Sequence, residues 1–166
     1  SKAAFKQVVR AGTPLGDDGI DRSYLEAEVR AVIKGRGIRS LEEYLKVLRT
    51  GRGTRFDPSR RRQAWDYMKE WDAGMAQRDT LDFADTITRA VEHAQGFTGP
   101  WYRAAVIDEA QDLTLMGLQL VRALVNGKRD DDRDDGLLIV GDGAQRIYPG
   151  AFTLRQAGVE VRGRTT

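Results

Sequence analysis

Two short apolar runs, each cut off by a polar turn and separated by one helix-length segment, constrain this chain more than any other feature. Ala104 to Ile107 ends in Asp108-Glu109, and Leu137 to Val140 ends in Gly141-Asp142. Between them, Thr114 to Val125 carries helical spacing and stops at Asn126-Gly127. Parallel strands need a crossover of a dozen or more residues, usually a helix. Two buried parallel strands joined by a crossover helix are therefore the economical reading, and the fold class is expected to be α/β.

Upstream of Gly99-Pro100 the pattern is different. Tyr24, Leu25, Val29, Val32 and Ile33 recur at helical spacing from Arg22 to Lys34, and the run stops at Gly35 and Gly37. Ser40 with Glu43 reads as a capping box opening a helix over Leu41 to Arg49, with Leu41, Tyr44, Leu45 and Leu48 on one face. Asp57 before Pro58 is an N-cap followed by proline in the first turn. Ala64, Trp65, Met68, Trp71 and Met75 then form one stripe of a helix that runs to about Gln77. Leu81 to His93 places Phe83, Ile87, Ala90 and Val91 on a common face, with the end near Gly96. Four helices and no convincing strand predict a mostly helical part over 1–95, followed by a partial parallel sheet of two or three strands over 96–166. The first twenty residues, with Gly12, Pro14 and Asp17-Asp18-Gly19, are expected to be poorly ordered and resemble a cut end.

The absence of cysteine excludes a disulfide framework or thiolate metal site, and a single histidine excludes a multi-His zinc site. A reducing, cytoplasmic setting is expected. No apolar run approaches the roughly 18 residues that span a bilayer, so no membrane partner is expected. Net charge is +2, but its distribution is uneven: ten Lys or Arg lie between Lys34 and Arg62 against Glu42, Glu43 and Asp57, whereas Asp130, Asp131, Asp132, Asp134 and Asp135 crowd one charged loop. The first segment could meet phosphates and the second would repel them.

The strand ends carry the chemistry. Asp108 and Glu109 fall at the carboxyl edge of a sheet, where open α/β folds bind ligands. A hard carboxylate there can hold magnesium, and a second can orient and deprotonate a water. Taken alone, the pair reads equally as an acidic helix cap. The second strand ends in Gly141-Asp142-Gly143-Ala144-Gln145-Arg146-Ile147-Tyr148. Its glycines permit a tight turn and close backbone approach, and Gln145 can donate to a phosphate oxygen while accepting from water. By itself that stretch is also an ordinary turn.

Together, Val106-Ile107-Asp108-Glu109-Ala110-Gln111-Asp112-Leu113 and Gly141 to Tyr148 resemble motifs II and III of the UvrD/Rep-like superfamily 1 DNA helicases, in order and separation. Leu81-Asp82-Phe83-Ala84-Asp85 is similar to the segment that closes the helical insertion in that family. The resemblance implies a 1B-like helical insertion over 1–95 and the later part of a RecA-like P-loop NTPase motor domain, 1A, over 96–166. It implies ATP and magnesium as cofactors, with Asp108 on the metal and Glu109 activating water. Gln111 and Asp112 would link the nucleotide site to neighbouring motor elements. Gln145 would sense the γ-phosphate, with Asp142 and Gly141 shaping its turn. Single-stranded or forked DNA is the implied partner, together with the other motor domains of a parent chain. The sequence departs from the family in three places, one being that it stops at Arg164-Thr165-Thr166, where the resemblance implies continuation into a second motor domain. Pro149-Gly150-Ala151-Phe152 replaces the usual aromatic and arginine, leaving Tyr148 or Phe152 as substitute stacking residues. No Gly-x-x-x-x-Gly-Lys-Ser/Thr loop occurs in the 166 residues, so the chain alone is expected to lack ATPase activity.

Arg52, Arg55, Arg60, Arg61 and Arg62 are the candidate backbone contacts to DNA, with a solvated basic face as the alternative. Trp65, Trp71 and Met75 read as core. His93 reads as a surface or helix-end residue without chemistry. A binding module without turnover, or a helical interaction domain with the acids as caps, are the competing classes. A homodimer through an exposed sheet edge is a further expectation.

Overall fold

The computed structural model describes residues 22–48, 56–97, 101–126, 136–141, 152 and 154–159. The expectations placed on residues 1–20, on 127–135, and on Arg52, Arg55, Asp142, Gln145 and Tyr148 lie outside the described residues, as does the side chain of Gln111. The chain is rich in helix, with a small parallel sheet, as expected of an α/β class with a helical first part.

Helix α1, Arg22–Glu28, passes directly into a π-helical turn, Val29–Lys34. Val32, Ile33 and Lys34 are consecutive and all buried. Three neighbours on a helix point around most of its circumference, so this turn is enclosed on more than one side. Gly37 leaves it at φ +67°, a conformation that favours glycine, and a Cβ there would also require the Met116 side chain to shift.

Helix α2 is shorter than its apolar pattern predicts, Leu41–Lys46. Ser40 caps it by accepting from the Glu43 N–H, but Glu43 reaches back to the N–H of Arg39. Val47 turns extended, and Leu48, expected on the buried face, is 80 % exposed. Helix α3, Pro58–Ala76, is capped by Asp57, which accepts from the Arg60 N–H at 2.9 Å. Its predicted stripe, Ala64, Trp65, Met68, Trp71 and Met75, is buried throughout. With Leu25, Val29, Ile33 and Tyr44 it forms the first hydrophobic core.

Helix α4, Phe83–Gly96, starts from the Asp82 cap and packs along α5, Leu115–Asn126. The expectation that Phe83 faces the core is corrected: it is 81 % exposed. Strands β1, Ala105–Ile107, and β2, Leu137–Ile139, pair in parallel with Ala105 opposite Leu137 and Ile107 opposite Ile139. The crossover between them contains α5, whose start is fixed by Thr114 Oγ1 accepting from the Gly117 N–H. Ile107, Leu115, Leu118 and Ala157 belong to the second core. The strands are not buried on both faces as expected, because Val106 and Leu138 turn outward, 70 % and 58 % exposed. Among the described residues no other strand flanks the pair.

Candidate functional site

The ends of β1 and β2 converge through backbone alone. Val140 donates its N–H to Ile107 O at 2.7 Å, extending the ladder past the last paired residues. Ala110 then donates to Val140 O at 3.1 Å, so the chain beyond the acid pair is tied to the end of β2. Asp108 and Glu109 lie between those two bonds, both exposed, with Gly141 on the neighbouring strand end. Asp108 Oδ1 accepts from the Glu109 N–H at 2.9 Å.

Glu109 is held in the left-handed region, φ 52° and ψ 43°, which a side chain with a Cβ occupies at a cost of roughly 1–2 kcal/mol. Its carbonyl accepts from the Asp112 N–H, opening a short 3₁₀ turn, Ala110–Asp112, that leads straight into α5. Strain of this kind persists only where surrounding bonds over-determine it, and the tie from Ala110 to Val140 is such a bond. Two adjacent carboxylates exposed at a sheet's carboxyl edge are a hard-oxygen donor set of the type that suits magnesium. The described residues contain no lysine at this edge to cradle a triphosphate, so the fit is to the metal and the water rather than to the whole nucleotide. Asp112 is exposed on the same turn.

The nucleic-acid candidates fare differently from one another. Phe152, expected only as a substitute stacking residue, is 3 % exposed within the second core and offers little ring surface to a base. The assignment of Arg61 is corrected. Its Nη1 donates to the carbonyls of Tyr44 at 2.7 Å, Leu45 at 2.9 Å and Val47 at 3.0 Å, and its Nε donates to Phe56 O. The guanidinium thus satisfies the carbonyls at the end of α2, which explains why that helix stops early. Arg62 is exposed and Arg60 half-buried.

Sequence reasoning missed a second cluster. Lys34 is buried, and its ammonium meets Asp82 Oδ2 at 2.6 Å, Asp85 Oδ2 at 2.8 Å and Asp72 Oδ1 as well. Burial alone would depress its pKa, but the bonds its ammonium donates to Asp72, Asp82 and Asp85 outweigh that and raise it above the ordinary lysine value. One cation cannot neutralise three acids. Asp85 is accordingly pushed up, by burial first and then by Asp82 and Asp72, against the pull of Lys34. The three carboxylate oxygens lie within 4.8 Å of one another, and the cation among them is the lysine. The available signal was Asp82 and Asp85 at helical i, i+3 spacing in the segment already singled out.

Beside this cluster, Arg30, Trp71, Met75, Leu81, Phe83 and Met116 line a cleft of about 360 Å³. The guanidinium of the exposed Arg30 sits 5.2 Å from the ring centroid of the buried Trp71. The cleft lies between the first core and α5, whose Met116 donates its N–H to Gly35 O at 2.9 Å.

A helical first part followed by parallel strands defines an α/β protein, with the candidate carboxylates at the sheet's carboxyl edge, where open α/β folds bind ligands. The family model for the UvrD/REP helicase N-terminal domain matches residues 20–159, and the chain belongs to that family. Neither characterised proteins nor solved structures yield a match. Among the described residues, no helix is long and apolar enough to cross a membrane.

Proposed function

We propose that this chain is part of an ATP-driven DNA helicase or translocase in which Asp108 and Glu109 serve nucleotide hydrolysis. The observation that carries this reading is the acid pair at the end of β1, held between two backbone bonds to β2 with Glu109 in a strained conformation. Asp108 would hold magnesium, which when bound neutralises charge on the phosphates. Glu109 orients the attacking water and accepts its proton. Gln145, Asp142 and Gly141 complete the edge in this reading, with Gln145 as the γ-phosphate sensor, while Gln111 and Asp112 link the turn to neighbouring motor elements. The phosphate-binding loop, absent from these 166 residues, must come from elsewhere in a parent motor.

The proposed division into two parts has its support in two separate hydrophobic cores, one drawn from Leu25 to Met75 and the other from Ile107 to Ala157, with α4 packed along α5 of the second part. The uncovered sheet face bearing Val106 and Leu138 suits further parts of the same motor domain, because parallel sheets are covered on both sides. For DNA, the cleft at Phe83 offers an exposed ring for a base and the Arg30 guanidinium for a phosphate. Arg62 offers a second cation on the exposed side of α3, and Arg52, Arg55 and Tyr148 remain proposed contacts.

The test is ATP turnover by the longest natural form of the protein, with and without single-stranded DNA. Glu109→Gln is expected to reduce DNA-stimulated hydrolysis by roughly 10²-fold or more. No hydrolysis in a form that carries a phosphate-binding loop would replace this reading with a non-hydrolysing nucleic-acid- or protein-binding module.

A further inference from the structure

We infer that Lys34 is a positioning residue for single-stranded DNA, setting the ring of Phe83 against the cleft floor at Trp71; the inference rests on the stacking role proposed for Phe83. Phe83 is the first residue of α4, and Asp82 just before it and Asp85 two residues after it both bind the Lys34 ammonium. Asp82 divides its two oxygens. Oδ1 accepts from the Asp85 N–H at 2.8 Å and caps the helix, while Oδ2 accepts from Lys34 at 2.6 Å. The cap and the ammonium therefore fix the same carboxylate, and through it the backbone from which Phe83 projects.

The ammonium reaches the floor of the cleft as well. It lies 5.5 Å from the Trp71 ring centroid, and Asp72, next in sequence, is its third carboxylate partner. Lys34 thus joins the rim at α4 to the floor at α3 from a third element, the π-helical turn. Its neighbour Gly35 accepts from the Met116 N–H, so the same turn also holds the α5 side of the cleft. Remove the ammonium and three carboxylates face one another across that junction, which pushes the start of α4 away from α3. Phe83 makes no large apolar contact of its own that would resist, being mostly exposed. A base stacked on an exposed ring depends on where the ring is held, since ordering a loose ring must be supplied from the binding energy.

The experiment is fluorescence anisotropy with a labelled oligothymidylate, using the whole chain as wild type, Phe83→Ala, Lys34→Met and the double variant. Phe83→Ala is expected to weaken binding roughly tenfold, within the range for loss of one stacked base. Lys34→Met is expected to lose a similar factor, and the double variant to lose no more than about twofold beyond either single one. That shared loss would separate positioning from general destabilisation, which would leave the two effects independent. Losses that multiply in the double variant would overturn the role of Lys34, as would a loss with Phe83→Ala but none with Lys34→Met. No loss with Phe83→Ala would remove the stacking reading itself, and the inference with it. Should Lys34→Met fail to fold, Asp85→Ala, which breaks one arm of the cluster, is read by the same cycle.

Discussion

Arg61 separates a structural from a nucleic-acid role most cleanly, because sequence and structure assign it differently. Substitution by alanine removes Nη1 from three carbonyls and Nε from a fourth, and takes the cation from its place 5.7 Å from the Tyr44 ring. Nη1 has only two hydrogens for three acceptors, so these contacts count as fewer full bonds than their number. Each hydrogen bond to a charged group contributes roughly 1.5–3 kcal/mol net, and the half-buried setting lets water reclaim part of that, so a loss of about 2–3 kcal/mol is expected. For a chain of this size that corresponds to a fall of roughly 5–10 °C in midpoint. Urea unfolding followed by tryptophan fluorescence reads it directly, since Trp65 and Trp71 lie in the adjacent core. Arg62→Ala, one residue along on the exposed side, is the control and is expected to stay within about 0.5 kcal/mol of wild type. Lysine at position 61 is not expected to rescue, because an ammonium cannot present the planar fork that spans Phe56 and the end of α2. An Arg61→Ala protein with the midpoint of Arg62→Ala and a DNA salt slope lower by about one would refute this account and return Arg61 to the phosphate contacts.

The Lys34 cluster gives stability a pH signature. With its pKa raised in the fold, Lys34 contributes fully below the unfolded value of about 10.4 and loses that contribution as pH rises through the folded value, so unfolding midpoints should drop at high pH in wild type but not in Lys34→Met. Asp85, also raised, favours the fold most below about pH 4 and loses that contribution as pH rises through its folded value; Asp85→Asn should therefore flatten the acid part of the profile. At the acid pair, Glu109→Gly relieves the left-handed strain and is expected to leave unfolding stability unchanged or higher by about 1 kcal/mol, while abolishing the hydrolysis proposed for the parent motor. A loss of stability in that variant, measured by the same urea titration, would show that the side chain supports the turn instead of straining it.

How far the sequence could be read depended on whether one element or several decide a residue's surroundings. Asp57-Pro58 sets the start of α3 with local bonds only, and the Trp65, Trp71 and Met75 stripe needs just one apolar neighbour, so both were legible. The strand ends were legible for a like reason: an apolar run that stops at Asp108-Glu109 places those acids on the sheet edge whatever covers the sheet. Leu48 was not, because its helix ends where Arg61, twelve or more residues downstream, takes the carbonyls. Val106 and Leu138 were not, because an apolar run records that a strand can be covered on both faces without recording which neighbour covers it.

The two remaining misreadings have opposite signs and one location. Phe83, apolar and at a core-facing helical position, is exposed; Lys34, charged and grouped with the basic segment, is buried. Either inversion alone costs stability, the first through unburied apolar surface and the second through desolvation, so each calls for a compensation. Lys34 finds its own in Asp72, Asp82 and Asp85, two of which form the start of the helix that carries Phe83 outward. Local rules fail most informatively where function sets the requirement, and here both failures border the same cleft, beside the bond from Met116 to Gly35. The DNA contact proposed above therefore rests on the cleft at α3, α4 and α5 more than on the basic run from Arg52 to Arg62, of which Arg61 is already engaged at the end of α2.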